Sequence, residues 1–320
     1  MAVAHIGHAE LRVIDLEASR RFYTDVVGLG VTEEDEDHVF LRAWQDWDHH
    51  TLMLTRGDRP GVDHVGWRVG SRDELSQAES RLKELGVPFH WVEGGTEPGQ
   101  GDGLRFLTPA GLPFELYWEV ERFVAPPDRE SRLRSHPERF GMHGISPRRF
   151  DHVNFLVDDV AAEQRWLTEE LGIHHRYFVE NDTGTRLGSW LSRTNVSHEI
   201  ALMRNRTQSG SMLHHTAYYV DSPDQMLRAA TILVENGVTL EWGPGQHGTS
   251  GAIFLYCFEP SSGIRFEVWT GGLLIFAPDW EAIRWDPEVS GVAIELWGSA
   301  MPESYLVRGT EITASVPAPA

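Results

Sequence analysis

The chain has one cysteine, Cys257, in 320 residues. That excludes an intramolecular disulfide and a thiolate-built structural zinc site, and makes a reducing compartment the expectation. No apolar run approaches the roughly 20 residues needed to cross a bilayer, and mean hydropathy is below zero. Residues Met1 to Leu11 lack the basic start, apolar middle and cleavage site of a secretory signal, so a cytoplasmic location is expected. Cationic residues are few against the acids, giving a formal net charge of −20. That balance opposes nucleic-acid binding, which needs clustered Lys and Arg. The one arginine run, Arg129, Arg132, Arg134 and Arg139, alternates with acids and reads as a solvated linker face.

What the chain does have is repetition. His5 to Tyr23, running on to Gly28-Leu-Gly, and Phe150 to Val160, running on to Leu171-Gly, share one plan. Each is a strand, an Asp at a helix N-cap, an amphipathic helix and a Gly stop. A second pair follows it. Asp63-His-Val-Gly leads through Ser71 to Leu85-Gly, and His214-His-Thr-Ala leads through Asp221-Ser-Pro to Asn236-Gly. Strand–turn–strand segments close both, Gly103 to Tyr117 and Ala252 to Trp269. The pattern predicts an α+β protein of two domains, each a pair of βαβββ modules made by duplication. The expected boundaries are 1–121 for the N-terminal domain, 122–149 for a Pro-rich linker, 150–272 for the C-terminal domain and 273–320 for an extension. The end of that extension, from about Thr310, reads as disordered.

Superposing the copies pairs His8 with His152, His64 with His215 and Glu115 with Glu267. Two imidazoles and a carboxylate from three strands are the facial ligand set of non-haem Fe(II) oxygenases, and suit Mn(II) equally. Separated His and Glu residues otherwise read as satisfied polar groups, and it is the duplicated placement that argues for a site.

The motifs Asp151-His-Val-Asn, His214-His-Thr-Ala and Gly243-Pro-Gly-Gln-His-Gly-Thr-Ser, with Phe254-Leu-Tyr and Gly263-Ile-Arg-Phe-Glu-Val, carry a resemblance. Over roughly residues 5–300 the chain resembles the two-domain extradiol catechol dioxygenases of the vicinal oxygen chelate superfamily, with a pattern like the homoprotocatechuate and catechol 2,3-dioxygenases. The resemblance implies a vicinal oxygen chelate fold and a metal held by His152, His215 and Glu267. It implies a catalytic His198 that moves protons, a Tyr256 that hydrogen-bonds the bound catecholate, and a His247 near a substrate hydroxyl. Asn154, two residues beyond His152, shares its strand face, and Trp190 matches a pocket wall. Tyr256 and Trp190 read equally as core aromatics, His247 as a turn cap and His198 as a structural histidine.

The resemblance further implies catechol and O₂ as partners, a muconic semialdehyde product, and a homo-oligomer, tetramer or dimer. The N-terminal set is expected to be vestigial: His50 falls near the His198 position, but Gly95 stands for His247, Leu104 for Tyr256 and Glu10 for Asn154. Trp242 and Val292-Ala293 occupy places where arginines would hold a substrate carboxylate. An uncharged catechol, plain or alkyl/aryl-substituted, is therefore expected, with Trp242 in its pocket and Trp44 and Trp269 as further candidates for lining or core. Homoprotocatechuate is the alternative substrate. Glyoxalase-like isomerases, thiol transferases and metal-free binding proteins share the fold class and are the alternatives of another kind.

Overall fold

The computed structural model describes residues 1–141, 143–286 and 288–314. Two large sheets account for most of it. The first contains β1 (Val3–Val13), β2 (Gly30–Glu34), β3 (His38–Arg42), β4 (Leu52–Arg56), β5 (Gly61–Val69), β6 (Phe89–Val92), β7 (Gly103–Leu107) and β8 (Pro113–Tyr117), in the order β2-β3-β4-β1-β5-β8-β7-β6. The second contains β9 (Arg149–Val157), β10 (His174–Glu180), β11 (Arg186–Ser192), β12 (Ile200–Arg204), β13 (Met212–Tyr219), β14 (Leu240–Gln246), β15 (Ile253–Phe258) and β16 (Arg265–Thr270). Two short strands from the extension, β17 (Ile283–Trp285) and β18 (Thr310–Glu311), join it. The centres match: β1 runs antiparallel to β5 and parallel to β4, as β9 does to β13 and β12. This is the expected fold of paired βαβββ modules.

The helices begin where the sequence places short polar caps. Asp15 Oδ1 accepts from Ala18 N at 2.9 Å to open α1 (Leu16–Arg21), and Ser71 Oγ from Glu74 N at 3.2 Å to open α2 (Arg72–Leu85). Asp159 opens α3 (Val160–Leu171) and Ser222 opens α4 (Pro223–Glu235) in the same way. Each cap satisfies an otherwise orphaned amide. The first helix departs from the expected regular one: after Arg21 it widens into a π-type segment over Phe22–Val27, where Thr24 Oγ1 donates back to Arg20 O.

One apolar core runs through both halves, joining Leu11, Val65 and Phe114 with Phe155, Leu202 and Phe266. Two carboxylates tie the halves reciprocally. Asp46 Oδ2 accepts from Phe150 N at the start of β9, and Glu199 Oε1 accepts from Ile6 N on β1. The extension is built into the second half. β17 pairs with β10, and α5 (Ser290–Ala293) and α6 (Glu303–Val307) lie between it and the tail. The expectation of disorder from about Thr310 does not hold for residues 310–314. β18 pairs with β13, and Thr313 N donates to Val62 O at 2.8 Å, because the tail supplies amides to two strand edges. Residues 315–320 lie outside the described residues.

Candidate metal centre and active site

Four neighbouring strands of the second half bring the expected residues onto one face. His152 on β9 lies opposite Ala217 on β13, and Ala217 is in turn the partner of Glu267 on β16. His215 sits two residues before Ala217 and therefore on the same face. Tyr256 on β15 is directly opposite Glu267. Register shifts interrupt β9–β13 between Leu213 and His215 and again after Ala217. Such bulges re-aim side chains beside a site.

His152 Nε2 and His215 Nε2 each lie 3.0 Å from Glu267 Oε2, and 3.4 Å from each other. All three side chains are buried. Their outer nitrogens decide the tautomers. His152 Nδ1 donates to Asp151 Oδ2 at 2.9 Å, which leaves Nε2 as a lone pair. His214 Nε2 donates to Tyr305 O at 2.7 Å, so His214 Nδ1 accepts from His215 Nδ1 at 2.6 Å and frees His215 Nε2 as well. Three lone-pair donors thus converge. Glu267 Oε1 and Asn154 Oδ1 beside them are buried without a hydrogen-bond partner among the described residues. Such a set fits a divalent cation and an additional ligand better than it fits a finished polar core.

The electrostatics show a cluster that draws positive charge: a proton on His152 Nε2 and a metal cation compete for the same place beside Glu267. Burial alone would lower His152, but Asp151 and Glu267 outweigh it and hold the group up at about 9. Burial takes His215 down to about 4 against the pull of Glu267. Glu267 stays well below the usual carboxylate range, since the facing His215 and His152 more than offset its burial. His198 is pushed far below the ordinary histidine value by burial and then by His152, so it is neutral. Its ring centroid is 4.1 Å from that of His152, and its Nδ1 is engaged by Tyr177 Oη at 3.1 Å and Ser197 Oγ at 3.3 Å. Nε2 is the nitrogen left for the cavity.

The pocket beside the triad is narrow and is lined by His152, Asn154, Trp190, His198, His215, His247, Thr249, Ser250, Tyr256, Trp269, Ile294 and Tyr305. His247 Nε2 meets Tyr256 Oη at 3.1 Å, and its Nδ1 is fixed by the Ile294 carbonyl. Trp190 is in the wall, stacked on Tyr177. Trp242 is not: it packs behind Tyr256, its indole N–H bonded to Ser299 O at 2.7 Å, and belongs to the aromatic cluster under the site. Of the other tryptophans weighed, Trp269 lines the pocket, whereas Trp44 packs on Phe140 in the first half. Ile294 and Tyr305 were missed because both come from the extension, outside the repeat. His214 is not among the expected site residues, though the doubled histidine is a signal that one ring can orient the other.

Two domain families match the chain: the Catechol 2,3-dioxygenase-like N-terminal domain over residues 62–121, and the Glyoxalase/Bleomycin resistance protein/Dioxygenase superfamily over residues 149–268. A manganese-dependent 2,3-dihydroxybiphenyl 1,2-dioxygenase from Geobacillus genomosp. 3 is 43% identical across 88% of this chain and 90% of its own length. A metapyrocatechase from Geobacillus stearothermophilus is 34% identical across 97% and 94%. This chain belongs to the extradiol ring-cleaving dioxygenases. A solved homoprotocatechuate 2,3-dioxygenase from Brevibacterium fuscum, in complex with 3,4-dihydroxyphenylacetate, superposes with TM-score 0.88 at 28% identity, covering 98% of this chain and 94% of that one.

Membership gives a meaning to the differences between the dioxygenase's two halves. In the first half, His8, His64 and Glu115 also converge, joined by Glu97. Strand register corrects two of the sequence correspondences. Arg105, not Leu104, faces Glu115 as Tyr256 faces Glu267, because the β7–β8 turn is one residue shorter than the β15–β16 turn. Glu97, not Gly95, is the loop residue that reaches the cluster. Arg105 bonds Glu115 Oε1 at 2.8 Å and also reaches Glu97. Burial and Arg105 oppose a charge on His64, but the surrounding carboxylates lift it to about 10.

Proposed function

We propose that the enzyme opens an uncharged catechol, plain or carrying an alkyl or aryl group, at a divalent metal held by His152, His215 and Glu267 in the second half. Fe(II) and Mn(II) both suit the donor set. The manganese dependence in the name of the 43%-identical relative keeps the second metal in view. When bound, the metal supplies a template that holds catechol and O₂ side by side and polarises both. The chain does the rest. Neutral His198, with Nδ1 tethered to Tyr177, takes a proton at Nε2 and returns it to the opening ring. Tyr256 remains a phenol because burial raises it far above its usual value, so its hydroxyl, which His247 Nε2 accepts in the free protein, is the proton donor that turns to the bound catecholate. Trp190, Trp269, Ile294 and Tyr305 exclude bulk water.

The observation that carries the substrate choice is the absence of any Lys or Arg among the described residues lining the pocket. Arg265, which packs against the outer face of Tyr305, is itself buried and committed to Glu241 at 2.6 and 2.8 Å. A carboxylate desolvated there without a partner costs several kcal/mol. Anaerobically purified protein, assayed for metal and given catechol, 2,3-dihydroxybiphenyl and 3,4-dihydroxyphenylacetate, tests the reading. Coloured ring-fission product is expected from the first two at higher kcat/KM. Preference for the acid would overturn the substrate assignment. A cytoplasmic location is the reading supported by the single buried Cys257. Association into homo-oligomers is supported by Leu274, Phe276 and Trp297, large apolar side chains left exposed on the extension.

A further inference from the structure

The first half holds a second set of metal donors that the ring-cleavage reading does not use. His8 Nε2 and His64 Nε2 are 2.9 Å apart. Each lies 3.5 Å from Glu115 Oε2, and Glu97 straddles them, with Oε2 3.4 Å from His8 and Oε1 3.3 Å from His64. Four donors around a metal at 2.0–2.1 Å stand about 3.3 Å apart in a tetrahedron, and these separations bracket that value. His64 Nδ1 is turned toward Asp63 Oδ1 and Glu10 Oε2, both at 3.2 Å, so Nε2 is its inward nitrogen. Glu115 Oε2 also accepts from Gln100 Nε2, which leaves it a second lone pair. Glu97 is 3% exposed, yet its Oε2, aimed at His8 and His50, has no hydrogen-bond partner among the described residues, and neither does His50 Nε2. Buried polar atoms left in this state are uncommon and mark an unfilled role.

One feature separates this set from its counterpart. The strand position held by Tyr256 in the second half carries Arg105 here. Its guanidinium spans Glu115, Glu97 and Asp63 and comes within 3.3 Å of His64 Nε2. A fixed positive charge already neutralises the carboxylates that would attract a cation, and it stands beside a ligand nitrogen. We propose that His8, His64, Glu97 and Glu115 form a latent four-donor site for a zinc-type divalent cation, kept metal-free by Arg105 acting as the resident cation. Four protein donors would close such a site with no position for substrate. The arginine thereby keeps a second donor set from drawing metal away from the site that works.

Metal-depleted protein equilibrated with Zn²⁺, freed of excess and analysed for zinc per chain, tests this. Arg105→Met is expected to retain one zinc per chain more than the wild type, and adding Glu97→Gln to it should remove that extra ion. Because the reading is a difference between variants, it does not depend on what the second half binds. Equal zinc in wild type and folded Arg105→Met would overturn the proposal. So would a wild-type count that falls on Glu97→Gln alone, since the site would then be filled with the arginine in place. If Arg105→Met is insoluble, Arg105→Gln, which keeps a donor toward Glu115, gives the same count, with Zn²⁺ expected to raise its Tm and not that of the wild type.

Discussion

The two halves place the same three residue types at the same points of the same topology, and differ in what surrounds them. In the second half the partners of the triad are neutral or outward-facing: Asn154 beside it, His198 beyond His152, and Tyr256 across from Glu267. In the first half the corresponding positions carry Glu10 and Arg105, with Glu97 added from the loop, so the donors are knit into a salt-bridge network. One arrangement leaves buried lone pairs pointing into a cavity; the other uses most of them on a guanidinium. The same three ligand residues therefore stand in two different charge environments, one with neutral neighbours and one with an added arginine and added carboxylates.

The sharpest way to break this comparison is to remove one imidazole from each half. His215→Ala is expected to abolish retention of Fe(II) or Mn(II) and to lower turnover by several orders of magnitude, about the scale of removing the metal's Lewis-acid role. His64→Ala is expected to lower the unfolding midpoint while turnover by the folded fraction stays near wild type. Metal analysis beside a ring-fission assay reads both, and the reverse pattern would move the active site to the first half.

A finer division tests the proton carrier. His198→Gln is expected to lower kcat by about 10²–10⁴-fold while bound metal is unchanged, whereas His50→Gln leaves both unchanged. A next step down concerns the carboxylates behind the ligands. Asp151→Asn replaces the charged acceptor that fixes His152 with a neutral amide and should weaken metal retention by about 10–100-fold. Asp63→Asn, which takes the charged partner from Arg12 and Arg105, should lower stability without touching metal content. Loss of metal in both variants would mean the halves are not as different as their geometry.

Most of the fold and the triad could be read in the sequence because both depend on periodic signals that duplication prints twice. Asp15 and Asp159, Ser71 and Ser222 announce helix starts by chemistry that needs no tertiary context. His152, His215 and Glu267 were picked out because His8, His64 and Glu115 repeat them. What the sequence concealed lies where periodicity fails. A turn one residue shorter shifted the Tyr256 counterpart from Leu104 to Arg105, and pairwise strand register was needed to see it. Tyr305 and Ile294 reach the pocket from an extension with no second copy. Trp242 has the size of a pocket wall and the right neighbourhood, but its indole N–H finds Ser299 O, which turns it away from the cavity. Aromatic residues beside a site are placed by where their polar edge can bond.

The comparison also has a pH-dependent side at the seam between the halves, where Asp46 and Glu199 make equivalent contacts from opposite sides. Asp46 accepts from Ala43 N, Thr51 Oγ1 and Phe150 N, and Glu199 from Arg193 N, Thr194 N and Ile6 N. Burial is the dominant influence on both and pushes both upward, Asp46 to about 6, despite those hydrogen bonds. A carboxyl whose folded value is raised keeps its proton longer in the native state than in the unfolded chain. Its contribution is therefore fully present below about pH 4 and is lost as pH rises through about 6. For Asp46 the difference is on the order of 3 kcal/mol. Urea unfolding of wild type and Asp46→Asn from pH 4 to 7 reads it: the gap between the curves should move in favour of the variant as pH rises. Glu199→Gln should shift in the same direction. Parallel curves would mean that the seam stays ionised and that water, not protein, solvates these carboxylates.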